Sequence, residues 1–419
     1  MQIYSPPFAI VKKGEGYQVA DQLGGKYYFN RSTLIAALYL SGKEPNDLVL
    51  YDFSKRFGFS AKNICQQLLD AGFLTIAKHK RKASFNYEKV IERILNDDAK
   101  ENSIVNIGTV TLASINCCPY NCKGCYIPAK GHNKSIISPQ KLESVITDAI
   151  SMGASNISLS GGEVTTTAET ARRTAELAQF AKSEGIETIT LVTTGYNLPE
   201  YFTMFINSGI NNFQISIDGF ESYNDLYKRA KDATKRSLES IELCSQKGAA
   251  FSTNTVVTKQ NAGSLSDFVE LFIGKGVKSI RLSKITTEDD SLALNIEDCI
   301  MLDALIKNLK AKHSTSSING PFDNPYVTEN YVNCVAGKLY AHIDSSGEIW
   351  PCAFMSDRRV GNIKDDSFKA LWTLENPVLN TLFAGKSISA GCGSCKKRFY
   401  CFGNCLRDYE IKKQKCQNG

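Results

Sequence analysis

The stretch Asn116-Cys117-Cys118-Pro119-Tyr120-Asn121-Cys122-Lys123-Gly124-Cys125-Tyr126 decides how the rest of this chain is read. Cys118, Cys122 and Cys125 stand in a C-x3-C-x2-C spacing. Three thiolates can each hold one iron of a four-iron cube and leave the last iron without a protein ligand. A small molecule can chelate that open iron directly. Cys117 offers a C-x4-C-x2-C alternative that fits less well, and it is read as a small buried hydrophobe. Residues 105–115, just before the loop, are β-rich, so the three thiols are expected at the end of a strand.

Composition supports metal chemistry. The chain has 14 cysteines and only 4 histidines, and no histidine falls in a Cys/His zinc-finger spacing. The amino terminus lacks the pattern of a secretory signal, so the expectation is a cytoplasmic chain with reduced thiols. Clustered, reduced cysteines point to metal ligation or catalysis rather than disulfides. Net charge is +6 over 419 residues, too weak to imply a nucleic-acid partner, and no apolar run is long enough to cross a membrane. The basic run KHKRK from Lys78 to Lys82 reads as a solvated linker.

Outward from the loop, β-rich runs at 105–115, 156–160, 188–192, 213–217, 251–257 and 279–285 alternate with helical runs at 139–152, 168–183, 198–208, 237–246 and 265–274. Six strand–helix units predict a parallel sheet curved into a partial (β/α)6 barrel, with ligands at the carboxyl ends of the strands. Residues 1–85 form a separate pattern: three short strands around the Gly24-Gly25 turn, then helices beginning near Ser32 and Ser60. A linker is expected over 86–103, the barrel over 104–312 and a bridging segment over 313–330. From 331 to 419 strands shorten, and seven cysteines crowd the region from Cys334 onward.

On these residues the chain resembles the radical S-adenosylmethionine (SAM) superfamily, whose defining motif is this cysteine loop after the first barrel strand. The resemblance implies that Cys118, Cys122 and Cys125 hold a [4Fe–4S] cluster that binds SAM, with Tyr126 beside the cofactor. Gly124 stands where the family usually carries an aromatic residue, which implies altered packing around SAM. Ser160-Gly161-Gly162-Glu163 is similar to the family's GGE motif, which contacts the SAM amino group through backbone and carboxylate. Thr194 ends the third strand where relatives often have Asn. Ser216 would meet the ribose hydroxyls and Asp218 the pocket floor. Arg229 matches an arginine that pairs with the SAM carboxylate, after one extra residue, with Lys228 its close competitor. Asn254 and Arg281 are further pocket candidates.

Cys392, Cys395, Cys401 and Cys405 form C-x2-C-x5-C-x3-C, preceded by Cys334, Gly347 and Cys352 and followed by Cys416. This assembly resembles the SPASM domain, a twin-cluster extension of radical SAM enzymes that modify peptides and proteins. The resemblance implies two auxiliary [4Fe–4S] clusters, three in all. One would use Cys392, Cys395, Cys401 and Cys416, and the other Cys334, Cys352 and Cys405, with an open iron. Cys299 is the upstream alternative, and Cys65 and Cys244 read as buried and inert. Structural zinc is the competing reading.

The amino-terminal pattern resembles the winged-helix-like, PqqD-like leader-recognition domain of peptide-modifying enzymes. Together these resemblances imply an oxidoreductase that takes hydrogen from a ribosomally made precursor peptide and forms a crosslink, a thioether before a carbon–carbon bond. Its partners would be a precursor peptide with a leader and an external electron donor of flavodoxin or ferredoxin type. The alternatives are a protein-modifying dehydrogenase of the anaerobic sulfatase-maturase type and a non-enzymatic iron–sulfur electron carrier.

Overall fold

The computed structural model describes the chain apart from residues 1, 5–7, 22–24, 78–84, 127–135, 323–330, 333, 385, 388–394, 396, 398–399, 402–404 and 418–419. From the amino terminus, β1 (Gln2–Tyr4), β2 (Phe8–Lys13), β3 (Gly16–Asp21) and β4 (Lys26–Phe29) precede α1 (Arg31–Leu40), α2 (Asp47–Phe57) and α3 (Lys62–Asp70). β5 (Thr75–Ala77) then pairs antiparallel with β1. β2, β3 and β4 form an antiparallel meander, and Phe8, Ile10, Tyr17 and Val19 bury one face of it in a core shared with Leu34, Leu38, Phe53 and Phe73. α1 is capped by Asn30, whose side chain accepts from Thr33 N at 2.8 Å, not by Ser32. Asn30 lies just outside the helix, where its side chain can reach the third helical N–H. The basic run 78–82 lies outside the described residues.

Residues 86–103, expected as a linker, form α4 (Tyr87–Leu95) and then a run laid along β2. Lys12 N donates to Ser103 O at 3.1 Å and Val105 N to Ile10 O at 2.7 Å. Asn106 completes the seam. Fully buried, it accepts from Ile10 N at 2.8 Å and donates to Phe8 O at 2.9 Å, so its amide substitutes for a peptide group of a neighbouring strand. The amino-terminal unit is therefore stitched to the rest of the chain by backbone hydrogen bonds.

Seven strands then run parallel in chain order: β6 (Thr109–Ala113), β7 (Asn156–Ser160), β8 (Thr188–Thr193), β9 (Asn212–Ser216), β10 (Phe251–Val257), β11 (Ser279–Lys284) and β12 (Ser317–Asn319). Between them lie α5 (Pro139–Ser151), α6 (Ala168–Ser183), α7 (Leu198–Ser208), α8 (Glu221–Lys228), α9 (Ala233–Gln246), α10 (Leu265–Gly274) and α11 (Ile296–Lys312). Because strand order follows chain order, right-handed crossovers put the connecting helices on one face, and the sheet curves with its other face inward. The alternation along the strands matches. Val110, Ile157 and Ile189 align in one row and Leu112, Leu159, Leu191 and Phe213 in another, all in the buried core. Thr111, Ser158, Thr190 and Asn212, and further up Ser216, Asn254 and Arg281, form polar rows on the opposite face.

The carboxyl-terminal region joins this sheet. After β13 (Tyr331–Val332), β14 (Tyr340–Ile343) pairs parallel with β6, and β15 (Glu348–Trp350) and β16 (Gly361–Asn362) extend it antiparallel to ten strands. α12 (Phe368–Leu371), α13 (Pro377–Ala384) and β17 (Lys386–Ser387), which pairs with β13, lead to α14 (Leu406–Gln417). Fully buried Trp372 and Leu379 belong to the same core as the barrel strands. Among the described residues no helix is long and apolar enough to cross a membrane.

Replacing Asn106 by Leu would strand the Ile10 N–H and the Phe8 carbonyl in a dry seam. The expected loss is roughly 2–4 kcal/mol, since each buried unpaired group costs about 1–3 kcal/mol. Thermal and denaturant midpoints measure it, and an unchanged midpoint would show that the seam does not depend on the amide.

Candidate active site at the carboxyl ends of the strands

The cysteine loop has no helix or strand of its own, so its backbone groups are satisfied by its neighbours. Ser114 N donates to Ser160 O at 2.9 Å, Gly162 N to Ile115 O at 3.3 Å and Glu163 N to Cys117 O at 2.8 Å. Arg173 of α6 donates its Nε to Ser114 O at 2.8 Å. On the other flank Asn121 N donates to Lys228 O at 3.2 Å and Lys123 N to Tyr227 O at 2.9 Å, so the last carbonyls of α8 are capped by the loop.

Gly161 and Gly162 are expected to let the backbone approach a ligand. In the structure they let it approach the cysteine loop. A Cβ at Gly162 would lie 1.9 Å from Cys117 O, and one at Gly161, whose φ is +151°, 2.5 Å from Ile115 O. Glu163 is 1% exposed, and its carboxylate is spent on protein. One oxygen accepts from Thr165 N at 3.0 Å, Thr165 Oγ1 at 2.7 Å and Thr193 Oγ1 at 2.6 Å, and the other from Thr194 N and Thr194 Oγ1, both at 2.6 Å. Five donors fill a carboxylate's acceptor capacity. The expected Glu163 and Thr194 are thus brought together, each holding the other.

Ser216 and Asp218 end the fourth strand as expected. Asp218 is buried, accepts from Val256 N at 2.8 Å and is held through its own backbone by Asn224 and Asn261. Burial pushes its carboxyl upward, against the opposing pull of Lys228. Lys228 is 1% exposed and donates to Ser216 O at 2.6 Å, with its ammonium 5.9 Å from the centre of the Tyr120 ring. Its charge offsets part of the rise that burial imposes on the Cys122 thiol. Arg229 is exposed: the chain turns left-handed there, at φ +51°, and leaves the helix. Arg229 thus lies past the helix end, and of the two candidates Lys228 is the buried one. Asn254 sits in the row between Ser216 and Arg281, and Arg281 is felt at the Tyr340 hydroxyl.

The cysteines fall into two groups. Burial first, and then the charges of Glu163, Cys122 and Cys125, raise Cys118 to about 12. Burial likewise raises Cys122 to about 11, with Cys125 among its neighbours. In the carboxyl-terminal group, burial together with Cys334 and Cys405 raises Cys352 to about 12, while Cys405 is raised to about 11. Mutually repelling, half-desolvated thiols suit a cationic iron cluster that would displace their protons. Among the described residues no three Cys, His, Asp or Glu converge on a single metal ion, and thiolates on separate irons need no such convergence. Tyr126 connects the groups: its ring lies 5.0 Å from Phe354, and both Cys125 and Cys352 act on its hydroxyl.

Cys395 is exposed, and Cys401, like Cys334 and Cys352, packs against the small apolar cluster that includes Met355, Leu406 and Tyr409. Cys392 lies outside the described residues, as does the side chain of Cys416 on α14. Cys117 is half-buried against the main core, and Cys65, Cys244 and Cys299 are buried within the cores. Lys284, missed in the sequence, pairs with Asp408 in a nearly dry contact and donates to Cys401 O at 3.2 Å, which fixes the end of β11 against α14. Thr165 and Thr193 were also missed, and the threonine-rich runs after both strands are the signal for them.

Residues 112–272 match the radical SAM superfamily, and residues 334–397 match the SPASM iron–sulfur cluster-binding domain. Pre-heme d1 synthase of Dinoroseobacter shibae is 23% identical over 47% of this chain, which spans 57% of that protein's length. Fe-coproporphyrin III synthase of Methanosarcina barkeri is 23% identical over 68% of this chain and 80% of its own, and PqqA peptide cyclase of Methylorubrum extorquens 21% over 69% and 77%. The crystal structure of Streptococcus suis SuiB bound to S-adenosylmethionine superposes with a TM-score of 0.64 at 14% identity, covering 97% of this chain and 96% of that one. SuiB bound to its precursor peptide SuiA gives 0.63, a likeness of fold. The radical SAM and SPASM domains imply SAM and [4Fe–4S] clusters.

Gly162→Ala is expected to drive the cysteine loop off the second strand and, since one of the three proposed clusters sits on that loop, to lower iron and sulfide per chain by about a third after anaerobic reconstitution. Gly274→Ala, where a Cβ meets nothing within 4 Å, is the control that keeps its iron. Equal loading of the two variants would overturn the pinning role of the glycine.

Proposed function

We propose that this chain, built on a radical SAM domain and a SPASM domain, is a peptide maturase that takes a hydrogen atom from a ribosomally made precursor and crosslinks it. The observation that carries the proposal is the pair of thiol groups at one end of the curved sheet, joined by the Tyr126–Phe354 contact. When bound, SAM and the [4Fe–4S] cluster of Cys118, Cys122 and Cys125 supply a 5′-deoxyadenosyl radical for hydrogen abstraction. The protein's part is to bind, orient and exclude water. Lys228 is placed to hold the SAM carboxylate, the backbone of Gly161 and Gly162 to meet its amino group, and Ser216 and Asn254 to meet its ribose. The curved sheet and its helices shield the reacting carbon from other hydrogen donors.

Two features support a peptide over a tetrapyrrole. The matches to heme-forming relatives leave 30% or more of this chain uncovered, whereas the likeness to a precursor-binding enzyme takes in 97% of it. Residues 1–85 add a unit proposed as winged-helix-like and leader-binding. Within it, β4 has a strand neighbour on one side only among the described residues, and Tyr28 is 64% exposed. An extended leader can add to such an edge as one more strand. Thioether formation is preferred because Cys334, Cys352 and Cys405 form a three-thiol group, while Cys299 is sealed inside α11. A substrate thiolate would complete that set. An external electron donor of flavodoxin or ferredoxin type completes the proposal.

Anaerobically reconstituted protein with a reductant is expected to release 5′-deoxyadenosine from SAM, and Cys122→Ala to lower that release at least a hundredfold. A co-expressed precursor is expected to lose two hydrogens by mass spectrometry. Undiminished SAM cleavage in Cys122→Ala would sink the radical reading. Normal cleavage by wild type without any change in a cognate candidate peptide would sink the peptide reading alone.

A further inference from the structure

Gly124 lies between the second and third thiols of the loop, and its backbone is in a conformation open to any residue. Space, not torsion, is what requires the glycine. A Cβ there would lie 2.4 Å from Tyr227 Oη, 3.1 Å from Ile285 Cδ1 and 3.4 Å from Tyr227 Cζ. Tyr227 cannot easily yield. It is 4% exposed, stacked on Tyr223 with centroids 5.6 Å apart and planes at 20°, and enclosed by Ile285 and Leu292. Tyr223 is fixed in turn by a 2.8 Å hydrogen bond between its hydroxyl and Thr258 Oγ1. Cys122 packs against the same apolar group.

The contact coincides with a backbone seam. Lys123, next to Gly124, donates to Tyr227 O, and Asn121 donates to the carbonyl of Lys228, the residue that brings its ammonium to Ser216. Loop and helix end are therefore held by two hydrogen bonds with a phenol set into the notch between them. We infer that Tyr227 is a positioning residue: it supplies, from α8, the aromatic wall beside the cysteine loop that position 124 cannot carry, and it sets the distance between the thiols and the Lys228 cation. Gly124 and Tyr227 are a matched pair, small against large. The inference deepens the proposal that this loop binds SAM on its cluster and rests on it.

The pair predicts a compensation. Gly124→Ala drives a methyl into the Tyr227 hydroxyl. Tyr227→Phe removes that hydroxyl, leaving contacts at 3.1 Å and 3.4 Å that small shifts can absorb. Wild type, both single variants and the double variant are reconstituted anaerobically. Iron and sulfide content, SAM dissociation constant and the SAM-dependent change in the electron paramagnetic resonance spectrum of the reduced protein are then measured. Gly124→Ala is expected to weaken SAM binding about tenfold or more and to blunt the spectral change, and Tyr227→Phe to weaken it about threefold or less. The double variant is expected to return to within about threefold of Tyr227→Phe. An innocuous Gly124→Ala, or a double variant whose loss is the product of the single losses, would overturn the inference. A fully loaded wild type that shows no spectral response to SAM would instead overturn the SAM reading of the loop, while the apoprotein's thermal midpoints would still report whether positions 124 and 227 are coupled.

Discussion

A loop with no regular structure must hold three thiols at fixed spacing, and the rest of the site depends on how its peptide groups are paired. A free loop of this length would need ordering at about 1–2 kcal/mol per residue. Here the second strand's end binds one flank and the end of α8 the other, so the loop is ordered by elements already fixed in the barrel. The glycines at 161 and 162 make the first contact possible by removing side chains. Glu163 then ties the second strand's end to the third through five hydrogen bonds, so the clamp that holds the loop is itself braced.

Much of this was legible in the chain. The strands at 156–160 and 251–257 and the helices at 168–183, 198–208 and 265–274 fall where the periodicity places them, because each is a buried run with a strong pattern. α8 was not legible: eight residues, ESYNDLYK, are too short and polar to show a period. Yet α8 carries Tyr227 and Lys228, and without it the sequence leaves Arg229 and Lys228 in competition, which the helix end separates into an exposed and a buried cation. The same limit applies to Glu163. Its position could be read from the motif, but its five donors come from residues up to 31 positions away, and only the folded sheet brings them together.

The three regions were separable by texture but are not separate in space. The pairing of β14 with β6 joins residues 340–343 to 109–112, a match that no local pattern encodes. Its effect is to extend the barrel sheet with the segment that leads to Cys352. Asn106, just before β6, ties the separate amino-terminal meander to the same part of the chain. A precursor held at β4 and a reacting carbon in the barrel would therefore be fixed relative to one another by backbone hydrogen bonds. Such a scaffold keeps a second binding event effectively intramolecular.

The second thiol group obeys the same logic with different means. Cys405 directly precedes α14, and its carbonyl accepts from Tyr409 N at 3.0 Å as the helix begins. Burial and Cys334 raise the thiol, while the Asp408 N–H and the Thr286 hydroxyl draw it back. A helix amino terminus favours negative charge on whatever sits there. Asp408 in the first turn opposes that field, and Lys284, from the last residue of β11, neutralises it in a nearly dry pair. Breaking one member of a buried pair leaves an uncompensated charge, so the pair holds its register strictly even if it adds little net stability. The end of the sixth strand is in this way fixed to the thiol of Cys405, just as the ends of the first and second are fixed to the cysteine loop. One sheet thus sets the separation between the two groups of thiols, and in the proposed reaction electron transfer or bond formation between them would depend on that separation.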